Sequence, residues 1–138
     1  MTDDLRYAAI RDFLRDNAGD VELRLENGDL DPPAEALWVH LEFEGQSLRQ
    51  ASIGSGAPSR ELWREQGVVV LLIHAPLNSG SLAARALGKR LGRLFRGREI
   101  AGMRFEGPSV NAGETSQRRS AWWVLPLVIP YEYDDLET

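Results

Sequence analysis

The sequence predicts a single-domain α+β fold: a mostly antiparallel β-sheet with two α-helices packed against it. Three observations predict it. Two segments repeat apolar residues at helical spacing, and five others alternate or run apolar over strand lengths, in the order αβββαββ. The chain has 138 residues, enough for one core and too few for two. Apolar residues make up 43%, the usual share for a globular chain, so composition supports a packed core.

Taken in order, Thr2 is placed to cap a helix over residues 3–16, with Asp3 and Asp4 complementing its dipole. Leu5, Ala9, Ile10, Phe13 and Leu14 form its apolar side, and Asn17-Ala18-Gly19 stops it. Val21, Leu23 and Leu25 alternate with Glu22, Arg24 and Glu26 as a short strand, closed by Asn27-Gly28-Asp29. After Pro32-Pro33, Leu37, Val39, Leu41 and Phe43 form a second alternating strand. Residues 44–60 carry glycines, serines and Pro58 and read as a long, mobile loop that contacts a partner. Ser47, Gly54 and Gly56 are its candidate contact residues.

The stretch from Leu62 to Ala75 reads as a long strand, apolar on both faces from Val68 to Ile73 and therefore central. Pro76 ends it, and a turn through Asn78-Ser79-Gly80-Ser81 leads into a second helix near residues 80–96. Ala101 to Glu106 forms a further strand, and Ser109 to Arg119 an exposed polar loop. Ala121 to Tyr133 closes the domain. Pro126 and Pro130 remove ladder donors there, which predicts an edge strand or bulges. Trp122 and Trp123 adjoin, so they point to opposite faces of the sheet.

Charge is uneven along the chain. The overall −5 resolves into −8 over residues 1–44, +7 over 45–119 and −4 over 120–138. If folding keeps these parts separate, an acidic and a basic part of one subunit can pair head-to-tail with further copies; if folding interleaves them, nothing follows. On the second helix Ala83, Ala84, Leu87, Leu91, Leu94 and Phe95 form the core side. Arg85, Lys89, Arg93 and Arg96 fall within an arc of roughly 80° on the other side. Gly88 and Gly92 lie between the two, one turn apart, and leave room for the close approach of another backbone. An ordinary solvated face has the same look. The functional alternative is contact with an acidic neighbour or with phosphates.

Enzymatic chemistry finds little support. Without cysteine there is no disulfide or thiolate. His40 and His74 are the only histidines and read as structural, with no HxxxH or HxxE pair for zinc. Asp29 and Asp31 lack the spacing of a calcium loop, and Gly54-Ser55-Gly56 matches no phosphate-binding pattern. The serines sit in no nucleophile-elbow motif. Glu132, Asp134, Asp135 and Glu137 read as a solubilising tail. No membrane span and no secretory signal are read, so a cytoplasmic origin is expected. No catalytic residue, cofactor or metal site is expected.

The run from Val68 to Ser109 nevertheless resembles the tail terminator-like proteins of long-tailed phages and gene transfer agents. The matching features are the apolar strand ending at Pro76, the turn at Gly80, the alanine- and leucine-rich helix from Ala83 to Leu94, Phe95-Arg96-Gly97, and Gly107-Pro108-Ser109. Val124 to Tyr133, with Ile129-Pro130-Tyr131, looks like the closing strand of that group. The likeness covers nearly the whole chain in order, while residues 44–60 and the end after Tyr133 match nothing in it. It implies a non-enzymatic structural protein of the virion tail, of the lambda-type tail terminator fold. Its homo-hexameric ring would cap the head-proximal end of the tail tube, stop tube growth and present the head-joining surface. The implied partners are further copies of the chain, the tail tube protein, a head-closure or adaptor protein, and genomic DNA passing through the lumen without sequence readout. Assembly in the host cytoplasm follows. A head-closure or head–tail adaptor protein of the same particle is the nearest alternative, and a stand-alone module for an acidic partner the next.

Overall fold

The computed structural model describes residues 4–26, 36–50, 62–115 and 121–136. In chain order these form α1 (Asp4–Asn17), β1 (Glu22–Arg24), β2 (Trp38–Gln50), β3 (Leu62–Pro76), α2 (Leu82–Phe95), β4 (Glu99–Ile100), β5 (Met103–Phe105), β6 (Ser109–Val110), β7 (Glu114–Thr115) and β8 (Trp122–Leu136). One eight-stranded sheet runs β1-β2-β3-β8-β5-β4, with β6 and β7 also paired to β8. Every pairing is antiparallel except that of β1 with β2. The fold is therefore α+β, as the periodicities predict.

The longest ladder joins β3 to β8, from Leu62 opposite Leu136 to Pro76 opposite Trp122, without a register shift. Strand alternation then sorts the side chains. Val69, Leu71, Ile73 and Ala75 of β3 and Leu125, Leu127, Ile129 and Tyr131 of β8 share one buried cluster with Ile10 and Leu14 of α1 and with Leu87, Leu91 and Phe95 of α2. Both helices thus cover the same face, and Phe13 meets Phe95 edge-on with ring centroids 5.2 Å apart. On the other face Trp38 stacks on His74 at 3.6 Å and Trp122 packs edge-on against Trp38. His74 is buried, and its Nδ1 lies 2.9 Å from the Leu72 carbonyl. The two tryptophans do take opposite faces, Trp123 packing against the helix-side core.

β8 is not an edge strand, contrary to expectation. It lies between β3 and the short strands β5, β6 and β7. The prolines explain how. Asn111 N–H donates to the Pro126 carbonyl at 3.0 Å and Glu106 N–H to the Pro130 carbonyl at 2.9 Å. In an antiparallel strand a residue's N–H and C=O point to the same side, so both missing donors face away from β3. On that side β7 pairs residues 123–124, β6 pairs 127–128 and β5 pairs 131–133. Each proline falls in a gap between two fragments, and the ladder to β3 loses nothing.

The loop expected over residues 44–60 also begins too early. β2 continues to Gln50, and Ser47 pairs with Gln66. A bulge between Glu44 and Ser47, with Gly45 at φ 62°, resets the alternation and hides the continuation from a period-two reading. Gly54 and Gly56 lie outside the described residues, as do Thr2, Asp29 and Asp31. Removing Ser47 to Pro58 would cut into a strand rather than a connector. Further corrections are smaller. Leu5 and Ala83 are exposed although read as core. The strand over 101–106 is a tight hairpin of β4 and β5, and the polar segment after Ser109 contributes β6 and β7.

Gly67 stands opposite the bulge and makes room for one buried polar cluster. A side chain there would put its Cβ 2.8 Å from Tyr131 Oη. That hydroxyl donates to buried Glu65 Oε2 at 2.8 Å and accepts from Gln46 Nε2 at 3.2 Å. Tyr131→Phe deprives a buried carboxylate of this donor and should cost about 1–3 kcal/mol. Gly67→Ala, which pushes the hydroxyl off its partners, should destabilise in the same direction. Denaturant unfolding followed by circular dichroism measures both, and wild-type stability in Tyr131→Phe would show the bond to be dispensable.

Candidate functional site

The sequence draws attention to α2, and its geometry follows from which side meets the sheet. Ala84, Leu87, Gly88, Leu91, Gly92 and Phe95 are buried. The two glycines therefore belong to the core side and do not separate it from the basic side. A Cβ at Gly88 would lie 3.4 Å from Ile73 Cδ1, and one at Gly92 would lie 3.4 Å from Pro108 Cβ. The close approach they permit is to this chain's own sheet and to the segment leading into β6.

Arg85, Lys89, Arg93 and Arg96 are all exposed, as the helical wheel predicts. Lys89, Arg93 and Arg96 form one wall of a groove of about 230 Å3. Pro108, Ser109 and Val110 form the other, and Gly88, Gly92 and Leu127 the floor. Arg85 lies outside this lining, its Nε donating to Ser81 Oγ at 3.2 Å. Ser47, on β2, is not brought to the groove. The second wall escapes sequence reasoning because β6 reaches α2 only by pairing with β8, Ser109 opposite Val128 and Val110 opposite Leu127. The one local signal is Val110 itself, an apolar residue in a polar stretch, which is 44% exposed.

Among the described residues no carboxylate lies within ion-pairing distance of Arg85, Lys89, Arg93 or Arg96. The contrast with the opposite sheet face is sharp. There Arg64 Nε donates to Asp134 Oδ1 at 2.7 Å, Arg104 Nη2 lies 3.2 Å from Asp134 Oδ2 and 3.6 Å from Glu132 Oε2, and Gln66 donates to Glu132 at 2.9 Å. Glu132 and Asp134 are thus part of a cross-strand ladder and not of a free acidic tail. The hydrogen bond from Gln66, aided by Arg64 and Arg104, holds the Glu132 carboxyl below its ordinary range. That from Arg64, aided by Arg104, does the same for Asp134, and the Asp134 carboxylate raises Arg64 in turn.

The groove presents three cations and one hydroxyl beside an apolar floor. Its lining has no histidine or carboxylate to act as a base. Such a surface holds an anionic group next to an apolar one. A second hollow, of about 480 Å3, lies at the β3–α2 turn among Pro76, Leu77, Asn78, Gly80, Ser81, Thr115 and Trp123, with no charged residue in its lining. Among the described residues no three histidines or carboxylates converge as a metal site, and no helix is long and apolar enough to cross a membrane.

No family model matches the chain, and no curated protein matches it. A solved structure aligns with 96% of this chain and 95% of its own, at a TM-score of 0.67 and 20% sequence identity. The name of that protein describes no function, and the shared property is the fold.

The two charged clusters should respond differently to perturbation. Carboxyls depressed in the folded state stabilise it at pH above their unfolded values, near 3.8 for aspartate and 4.5 for glutamate. Below those values the unfolded chain binds more protons, and the contribution disappears as pH falls through the lower folded values. Melting temperature measured from pH 7 to 2.5 should fall in this acid window, and less steeply in Arg104→Gln. Reversing Lys89 and Arg93 to glutamate should by contrast move stability at pH 7 by no more than about 0.5 kcal/mol.

Proposed function

We propose that the protein is the tail terminator of a phage-like particle, from an infectious phage or a gene transfer agent, and acts by assembly without enzymatic work. The observation that carries this reading is the order in which the resembling features fall on the fold. The apolar strand is β3, ending at Pro76, and Gly80, at φ 85°, forms the turn before α2. Phe95-Arg96-Gly97 ends α2, with Gly97 at φ 67°. Gly107-Pro108-Ser109 leads into β6, and Ile129-Pro130-Tyr131 lies in β8, the longest strand together with β3. Two further properties favour a subunit of a larger body. Among the described residues no carboxylate lies within ion-pairing distance of Lys89, Arg93 and Arg96, and exposed Glu26 and Glu44 lie toward the opposite end of the sheet.

On this reading copies of the chain close into a homo-hexameric ring on the head-proximal end of the tail tube. The ring stops addition of the tail tube protein and offers its other side to a head-closure or adaptor protein. Genomic DNA passes through its lumen, and recognition of base sequence is not required. The particle's tail is then where the protein works, after assembly in the host cytoplasm.

Electron microscopy of the purified protein, alone and mixed with tail tubes lacking a terminator, tests the proposal. The expected images are six-membered rings and tubes that bear a cap and stop growing. A protein that stays monomeric in solution and leaves the tubes bare and growing would overturn it.

A further inference from the structure

Among the described residues the groove beside α2 has no charge partner, and the same chain carries a complementary surface elsewhere. From Leu82 to Arg98 there are six cations, Arg85, Lys89, Arg90, Arg93, Arg96 and Arg98, and no acid. Around β1 and the first half of β2 the balance reverses. Asp20, Glu22, Glu26, Glu42 and Glu44 stand there with the single cation Arg24. Asp20, Glu22, Glu26 and Glu44 are exposed. Alternation puts Val39 and Leu41 under the helices and therefore Glu42 and Glu44 on the other face, where Glu42 lies 3.3 Å from His40.

Arg90, on another side of α2, reaches Gly19 beside Asp20, but sheet order keeps the groove itself apart from the edge formed by β1 and β2. β1 is the terminal strand on one side, and β6 lies beyond β8 on the other, with β2, β3 and β8 between them. Four strand spacings of about 4.8 Å put them roughly 19 Å from each other. That exceeds the roughly 10 Å over which exposed charges interact in 0.1 M salt. Neither surface can neutralise the other within one subunit, but each can do so in a neighbour. A contact between two different patches of the same chain is heterologous and passes from copy to copy until it closes.

We infer that the groove formed by Lys89, Arg93, Arg96, Pro108 and Val110 receives the acidic edge of a second copy at Glu26 and Glu44, which are neighbours because Phe43 N–H donates to Glu26 Oε2. The inference rests on the self-assembling reading above and adds which surfaces meet. The three cations take the carboxylates, while Val110, Pro108 and the glycine floor take the apolar part of the edge, where Leu23 and Leu25 are only partly buried. A nucleic acid is the other polyanion to weigh. It is disfavoured by the sequence pI of about 5.1 and by the absence of an aromatic residue from the groove lining.

Lys89 makes the test unusually specific, because it is the only lysine in the chain. A carbodiimide joins amines to carboxylates in direct contact without adding a spacer. Equal amounts of 14N- and 15N-labelled protein are assembled, in solution or on tail tubes, treated and digested, and mixed-isotope peptides report links between copies. The expected result is Lys89 joined to Glu26 or Glu44 across two copies. Lys89→Glu with Arg93→Glu should weaken self-association about tenfold. So should Glu26→Lys with Glu44→Lys, and an equimolar mixture of the two charge-reversed proteins should recover part of it. Assemblies in which Lys89 stays unlinked, or links to other carboxylates, and in which both variants assemble as wild type, would overturn the inference while leaving the ring itself standing. Failure of the wild type to assemble under either condition would overturn both. Micromolar binding of duplex DNA at physiological salt, lost in the Lys89→Glu, Arg93→Glu variant, would assign the groove to phosphates instead.

Discussion

The structure depends on one uninterrupted pairing, that of β3 with β8 along their full lengths. Because its register never shifts, one set of residues stays under the helices from Tyr131 to Leu125 and from Val69 to Ala75. A slip by one residue would carry the whole set to the opposite face. The rest is arranged around this pair. β2 extends it on one side and must bulge at Gly45 to do so, while the other side of β8 is divided by Pro126 and Pro130. Short fragments are what a strand with periodic missing donors can pair with, and β5, β6 and β7 are such fragments. The groove follows from this division, since β6 is the fragment that stands against α2.

Local pattern made much of this legible. The helices, the long central strand and the basic side of α2 all follow from the spacing of apolar residues, and the structure has them within a few residues of the expected limits. What escaped depends on pairing between distant segments. The period-two pattern of β2 breaks at Gly45 and Gln46, so the strand seems to end where it only bulges. Proline's lack of a donor is visible in sequence, but which side of the strand loses it is not, and that side decides whether β8 is an edge. Gly88 and Gly92 read as room for another backbone because nothing local shows that Ile73, Pro108 and Leu127 crowd them. The groove was half legible: its cations lie on one helix, and its second wall arrives through β6.

The arginines divide into two kinds by what the sheet puts beside them. Arg64 and Arg104 stand across from carboxylates on adjacent strands, where register alone brings opposite charges together. Such pairs are partly exposed and contribute little stability each. Their effect is to leave that cluster of four side chains without a net excess of either sign. Among the described residues the cations lining the groove have no such neighbour, so salt or a surface from outside the subunit would relieve their repulsion. If the proposed contact holds, stability and assembly draw on different charges, and altering one set need not disturb the other.

Sheet edges constrain how copies can meet. An exposed edge strand invites addition of another strand, and proteins limit this with short edges, bulges and charge. Here β1 has three residues, two of them charged, and β4 has two. The bulge at Gly45 interrupts the one long strand next to β1. Backbone pairing through these edges would gain few hydrogen bonds, which leaves side-chain complementarity to determine the contact. A heterologous contact built on charge forms quickly, because opposite potentials steer the approach, and it loosens as salt rises. On the proposed reading both properties would suit a subunit that finds the end of a growing tube, provided that closure of the ring then adds a contact that an open chain of copies lacks. An open pair presents one unmatched acidic edge and one unmatched groove, whereas a closed ring presents neither. On that reading closure is favoured by the same asymmetry that drives the first encounter, through one further copy of the same contact.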